Sequence, residues 1–438
     1  MTSELLDYLK VFRRFSFLSP SKRQQYLYQP DKDFTRRSPL SFRRTVSLIV
    51  GLMRKSTAIE LIDFFNGCGQ KSVSKSAFSQ RRKLIKPDFF EDFFQLSTRQ
   101  FYQSFSRFRT WRSLRVFAVD STGQRLPDEE PIGDAFGWHT NQAATVASVH
   151  LLFTFDVLNK IIFRVDLHDQ NQSEVKVAYS NVEQLPSQAL YIYDRGHANY
   201  GLPFLHQRHG SFFLIRMQNK QSPQIIDFLQ SKENERVITI KLKDRAFRSL
   251  RDLGLNPQLN AAIKVRLVRV DLPHGKVAVL MTNMMNRKRF HYRRIQQLYT
   301  KRWGVETSFF VLKSFLMLAC FSAYTQPGVE QDLWASFVFY NLNSAWEFSL
   351  YEELQNRTQH RQYTYQINRN IAAGLIKRWI TTLFLDATQK WRAKTTILKE
   401  NLLLHLEPYR RRPSRVRTRK FMRGQGRHIF EPNYRLVL

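Results

Sequence analysis

Apolar positions change their spacing twice along the chain. From the N-terminus to about residue 112 they recur at helical intervals. Ser41 is placed to cap a helix running through Met53, Ser56 one ending near Gly67, and Ser76 one carrying Phe78, Arg81, Arg82 and Lys83. From Leu114 the period shortens. Val116-Phe-Ala-Val119 is a continuous apolar run, as in a strand buried on both faces, and it delivers Asp120 at its C-terminal end, before Ser121, Thr122 and Gly123. Positions 146–155 and 161–167 fit two more strands, with Asn159 and Lys160 turning between them. Ser173 then caps a helix to about Leu185, and Leu190-Tyr-Ile-Tyr193 predicts a strand that ends on Asp194. After a helix over 200–209, strands fit 212–217, 236–242, 263–271 and 276–282, the last two joined by a turn at Pro273, His274 and Gly275. Helical spacing returns at 299–313, 330–350 and 371–385, where Trp334, Trp346 and Trp379 serve as packing anchors.

Strand, strand, strand, helix, strand, helix is the order of a ribonuclease-H-like core, and the fold class is therefore mixed α/β. The chain divides into a helical region at 1–112, whose short basic helices separated by tight turns suit DNA binding, the first part of the core at 113–210 and an inserted β subdomain at 211–288. A core helix follows at 289–325, and a helical, basic C-terminal region at 326–438.

Composition narrows the function. The 438 residues are 43% hydrophobic, enough for proper cores, and Lys plus Arg number 69 against 36 acidic residues, a formal net charge of +33. A globular chain with that excess meets a polyanion, first of all nucleic acid, and the dense basic stretch at 410–427 is a candidate for phosphate contact. No apolar run of about 18 residues and no secretory leader is seen, so no membrane is expected and the protein reads as soluble and intracellular. Cys68 and Cys320 lack a nearby partner, which points away from a disulfide framework or a zinc site.

The chemistry concentrates on 299–313. On a helix at about 100° per residue, Tyr299, Arg302, Glu306 and Lys313 fall within an arc of roughly 60°, beside an apolar stripe of Leu298, Val305, Phe309, Leu312 and Leu316. One acid among three donors at the rim of a buried stripe suits a site for phosphate. Asp120 and Asp194, each closing an apolar strand, are placed to join Glu306 from different segments. Three carboxylates brought together repel and protonate unless a cation compensates them. Mg2+, with Mn2+ as substitute, takes such oxygen ligands and leaves room for a substrate phosphate. No Ser-His-Asp or Cys-His pattern supports a covalent intermediate.

The spacing Tyr299-x2-Arg302-x3-Glu306-x6-Lys313 resembles the signature of the insertion-sequence-four family of bacterial DDE transposases. Asp120-Ser-Thr-Gly and Asp194-Arg-Gly-His-Ala-Asn-Tyr are similar to that family's first and second acidic motifs, Val279-Leu-Met-Thr-Asn-Met to the strand before its third, and 73–85 to part of its N-terminal region. The resemblance implies that Asp120, Asp194 and Glu306 are the catalytic, metal-binding triad and that Tyr299, Arg302 and Lys313 bind DNA, with Arg195 on the same backbone. It also implies cleavage at terminal inverted repeats and strand transfer into target DNA by way of a hairpin, on double-stranded DNA, by a homodimer in the synapse, at the bacterial nucleoid in the cytoplasm. His197 is a weaker candidate. Relatives that form the hairpin stack a flipped base on an aromatic residue from the β insertion, yet no tryptophan lies between Trp138 and Trp303. Met281, Met284 and Met285 are the candidate wedge in its place. The rival readings are a stand-alone metal-dependent nuclease and a non-catalytic DNA-binding relative.

Overall fold

A computed structural model of the chain describes residues 2–409 apart from positions 17, 53–54, 141–143, 170, 243, 259–260, 273–275 and 387. The basic stretch at 410–427 and the turn at Pro273, His274 and Gly275 lie outside the described residues. Two units are interleaved in sequence. The first takes in Met1–Arg107, Arg125–Ser148 and the described chain from Phe310 on; the second is Phe108–Gln124 with Val149–Phe309.

The first unit is mainly helical. Helix Asp88–Ser104 carries Phe89, Phe90, Phe93, Phe94 and Phe101 at spacings that all reach the interior, and each is at most 2% exposed. Phe94 packs on Trp334 and Phe101 on Phe348, both on helix Gln326–Ser349, which is apolar around most of its circumference and therefore sits centrally. Phe12 of helix Ser3–Ser16 stacks on Phe384 of helix Arg369–Leu385 at 5.8 Å, so helices from both ends of the chain share one core. Each such buried ring contributes about 1.5–3 kcal/mol. Ser41 caps helix Phe42–Gly51 by accepting from the Arg44 amide, and Trp346 and Trp379 meet edge to face. The third basic helix begins earlier than its spacing predicts. Ser74, not Ser76, is the cap, accepting from the Ala77 amide, and the helix runs Lys75–Arg82.

The second unit is built on a sheet. Its strands are β1 (Val116–Arg125), then, after the short β2 (Trp138–Thr140) of the first unit, β3 (Thr145–Asp156), β4 (Ile161–Asp169), β5 (Leu190–Tyr193), β6 (Phe212–Arg216), β7 (Glu235–Lys241), β8 (Ala262–Asp271) and β9 (Val277–Thr282). The order across the sheet is β4-β3-β1-β5-β6-β9-β8-β7, with β5 parallel to both β1 and β6. The first five are the strands of a ribonuclease-H-like core. Helix Gly201–His209 is the crossover between β5 and β6, and the antiparallel strands β9, β8 and β7 of the insertion continue the same sheet. Met281 and Met284 are fully buried, each in one of the two apolar layers that cover the sheet. They are core residues, which corrects their reading as a DNA wedge; Met285 alone of the three is partly exposed.

Candidate active site

The parallel register of β1 and β5 pairs Val119 with Tyr193, and the next residue on each chain is an aspartate. Two carboxylates thus leave neighbouring strands at one level. β1 itself continues to Arg125, so Asp120 lies within a strand and not at its end; what stops after Val119 is the pairing with β5, and Asp120 is the first residue beyond it. Alternation along the strands sends Phe117, Val119, Tyr191 and Tyr193 into one apolar layer and Val116, Leu190 and Ile192 into the other, which contains Ile295 and Leu298. By the same parity Asp120 belongs to the face covered by helix Tyr292–Tyr299.

The stretch after that helix is not one uniform helix, as its spacing predicts. Tyr292–Tyr299 is α-helical, Thr300–Arg302 forms a 3-10 turn, Trp303–Phe310 is α-helical again and Val311–Phe315 is a π turn. Gly304 packs against the end of β3, where a Cβ would lie in ordinary contact with Val157 Cγ1 at 3.4 Å. The Tyr, Arg and Glu of the signature meet nonetheless. Arg302 donates from Nη1 to Asp120 Oδ2 at 2.9 Å and from Nη2 to Glu306 Oε1 at 2.7 Å, while its buried Nε has no hydrogen-bond partner. Tyr299 is half-buried beside it. Burial raises the Tyr299 hydroxyl above its ordinary value against the opposing charges of Arg302 and Arg216, and Asp194 adds to the rise. Lys313 lies on the π turn, within the first unit. Arg195 is exposed beside Asp194.

Asp194 is held by its own loop. Its Oδ1 accepts from the Gly196 amide at 2.8 Å, the His197 amide at 3.3 Å and His197 Nδ1 at 3.0 Å; among the described residues Oδ2 accepts nothing. A Cβ on Gly196 would come within 3.1 Å of that Oδ1, which explains glycine at this position. His197 is buried, and its Nε2 lies 3.2 Å from Glu174 Oε1, at ion-pair distance without a hydrogen bond. Glu174 is the acid that the sequence did not disclose, since at the first position of helix Glu174–Asn181 it reads as an ordinary N-terminal carboxylate facing the helix dipole.

Electrostatics link the group. Burial pushes the Asp120 carboxyl up to about 6; Arg302 opposes this, and Asp194 and Glu174 reinforce it. Burial also works against ionised Asp194, but the His197 hydrogen bond and charge, with the two backbone donors, bring its carboxyl below the ordinary value. For His197 burial alone would lower the imidazole; the hydrogen bond to Asp194 and the charges of Glu174, Asp194 and Asp120 outweigh it and raise the pKa. Carboxylates are in excess over cations here. Among the described residues no set of three or more His, Cys, Asp and Glu side chains is arranged to grip a metal ion, because the Arg302 fork stands between Asp120 and Glu306. The chemistry of the donor set nonetheless fits a hard divalent cation: the oxygens are carboxylate, and Asp120, raised first by burial and then by the charges of Asp194 and Glu174, is the acid that a nearby cation would keep ionised.

Residues 111–342, more than half of the chain, match the family model described as a transposase DDE domain. The chain is 22% identical over 376 residues to the transposase InsG for insertion sequence element IS4 of Escherichia coli (strain K12), covering 84% of this chain and 82% of that protein. It is 24% identical over 220 residues to the putative transposase y4zB of Sinorhizobium fredii (strain NBRC 101917 / NGR234), covering 50% of this chain and 59% of that one. Among solved structures, the piggyBac transposase synaptic complex with hairpin DNA, determined by cryo-EM, superposes with a TM-score of 0.46 at 12% identity, over 90% of this chain and 85% of that one. Among the described residues no helix is long and apolar enough to cross a membrane. Two aspartates that follow paired positions of adjacent parallel strands, the Tyr-Arg-Glu segment beside them and a family match that spans all of these place the chain among the DDE transposases of the insertion-sequence-four family, enzymes that act on DNA and depend on a divalent metal.

Proposed function

We propose that Asp120, Asp194 and Glu306 are the catalytic acids that cut the DNA at the element's terminal inverted repeats and transfer the freed strand into target DNA. The observation that carries this reading is the Arg302 fork: one guanidinium reaches Glu306 on its own segment and Asp120, 182 positions before Arg302 in the chain, and Asp120 also feels the charge of Asp194. Mg2+, replaceable by Mn2+, is the cation that these three would hold, and it would supply charge stabilisation at the scissile phosphate and an activated oxygen nucleophile. Asp194 is pre-set for the task because its Oδ1 is occupied by loop donors and its Oδ2 is left for the site. Arg302 presents a planar fork suited to two phosphate oxygens, with Nε still without a partner, and Tyr299 lies alongside it. Lys313 and Arg195 are assigned to the flanking backbone.

The same reading assigns the N-terminal helices to recognition of the repeats, self-association to the C-terminal helices as a homodimer in the synapse, and action to the bacterial nucleoid. A plasmid carrying the element's two ends tests it. The unsubstituted chain with Mg2+ should release cut ends and then joined products, whereas Asp120→Asn, Asp194→Asn and Glu306→Gln should bind the ends and yield neither. Cutting by any of the three variants at an unchanged rate would overturn the assignment of that acid.

A further inference from the structure

Next to the acids, within the second unit, is an open concave site of about 760 Å³ whose charged lining is entirely basic: Arg195, Arg216, Lys220 and Lys276, with Gln218 and Asn219 between them. Arg195 directly follows Asp194, and Arg216 ends β6, beside β5. None of these four side chains makes an ion pair or a hydrogen bond among the described residues. Some other arginines of this unit are neutralised, Arg164 by Asp166, Arg236 by Asp227 and Glu233, and Arg269 by Asp271; what sets these four cations apart is that they line one hollow with no acid in it. Four unpaired cations in one hollow repel one another, and the fold holds them there. Gln221 Nε2 donates to the Ala198 carbonyl at 2.9 Å and Asn219 Nδ2 to the Val277 carbonyl at 3.2 Å, which ties the loop carrying Lys220 to the Asp194 loop on one side and to β9 on the other.

Resting on the reading of the acids given above, we propose that this hollow is a second phosphate grip, separate from the Arg302 fork, that holds a run of DNA backbone leading away from the scissile bond. One free phosphate ion cannot satisfy four cations spread over a hollow of this size. A DNA strand, with one charge per roughly 3.4 Å of rise, does so. The position agrees with this, because Arg216 and Asp194 both act electrostatically on Tyr299, so the hollow adjoins the acid cluster. The strand is either the donor DNA flanking the element or the target DNA, and the chemistry of the grip is the same for both.

The test uses the full chain with Lys220→Gln and Lys276→Gln together, and a control with Lys241→Gln and Lys264→Gln, two exposed lysines of β7 and β8. Binding is measured without divalent cation, so it does not depend on cleavage: to a pre-cut end duplex, to the same duplex extended by donor flank, and as capture of a target duplex by protein already holding a pre-cut end. The double variant should lose about tenfold in affinity for the flanked duplex, if the strand is donor, or in target capture, if it is target. In the affected arm the slope of log affinity against log salt should shrink by about two. Binding to the pre-cut end should stay within twofold of the unsubstituted chain. If all three arms stay within twofold, or if the control pair loses as much, the proposal is wrong. Failure of the acids to catalyse would leave these binding results standing and would count against the triad alone.

Discussion

Arg82 and Arg302 are both arginines set among carboxylates, one in each unit, and they have been left in opposite states. Arg82 is saturated. Its Nε donates to Gln331 Oε1 at 2.9 Å, Nη1 to Ser322 Oγ at 2.5 Å and Nη2 to the Gly328 carbonyl and to Asp332, and the side chains of the ion pair are 3% and 1% exposed. Gln331 returns two hydrogen bonds to the Arg82 and Ile85 carbonyls. One acid meets one base, and all three guanidinium nitrogens are already engaged within the fold. Arg302 is shared between two acids, Asp120 and Glu306, keeps its Nε without a partner, and has a side chain 11% exposed. A completed network fixes a fold, whereas an incomplete one with charge to spare is where a substrate can enter.

The first way to break this comparison is to remove each arginine. Arg82→Ala leaves Asp332 buried without a counter-charge and should cost about 3–5 kcal/mol in urea unfolding. Arg302→Ala should shift the unfolding midpoint far less but lower the cleavage rate by about 100- to 1000-fold, as expected when a donor to the reacting phosphate is lost. Arg302→Lys should recover only part of that rate, since it keeps the charge and loses the fork. Equal destabilisation by the two alanine variants would erase the distinction.

Two histidines sharpen it further. His206 is buried between Tyr193 and Ser211, hydrogen-bonded to both, and burial, with a smaller push from His209, takes its pKa down to about 3. A folded-state pKa below the unfolded value of about 6.5 means that the unfolded chain takes up the proton first. The stabilisation is therefore complete above about pH 6.5 and falls toward pH 3 at about 1.4 kcal/mol per unit. His206→Asn should remove that contribution to the slope in pH-dependent unfolding. His197 is instead raised by the acids around it, and its task is to hold Asp194 Oδ1. His197→Gln should lower cleavage by about tenfold and raise the Mg2+ requirement, with little change in end binding. An unchanged Mg2+ titration for that variant would remove His197 from the site.

The site was legible in the sequence to the extent that it depends on local pattern. An apolar run that stops on an acid marks Asp120 and Asp194, because a buried strand tolerates a carboxylate only where it leaves its neighbour, and the i,i+4 spacing of Arg302 and Glu306 marks their pairing. What depends on distant packing was not legible. Arg82 sits in a basic trio on a short helix, and nothing around it in the sequence marks it as buried; its partners lie beyond residue 320, and only the fold brings them to it. Glu174 precedes Asp194 by a whole helix, and nothing in its neighbours separates it from a dipole-balancing acid. Met281 and Met284 occupy opposite faces of a strand end, and sequence alone did not reveal that both faces are covered. The uniform wheel over 299–313 overlooked the 3-10 turn at Thr300–Arg302 and the π turn at Val311–Phe315.

The central claim is that three acids from distant segments share one cation. Iron-mediated scission tests it most directly: Fe2+ replaces Mg2+, ascorbate and peroxide are added, and the cut points in the polypeptide are read by mass spectrometry. The account predicts breaks next to Asp120, Asp194 and Glu306 together, all three lost in Asp120→Asn. Breaks at only one of these positions, or only at places remote from all three, would contradict it.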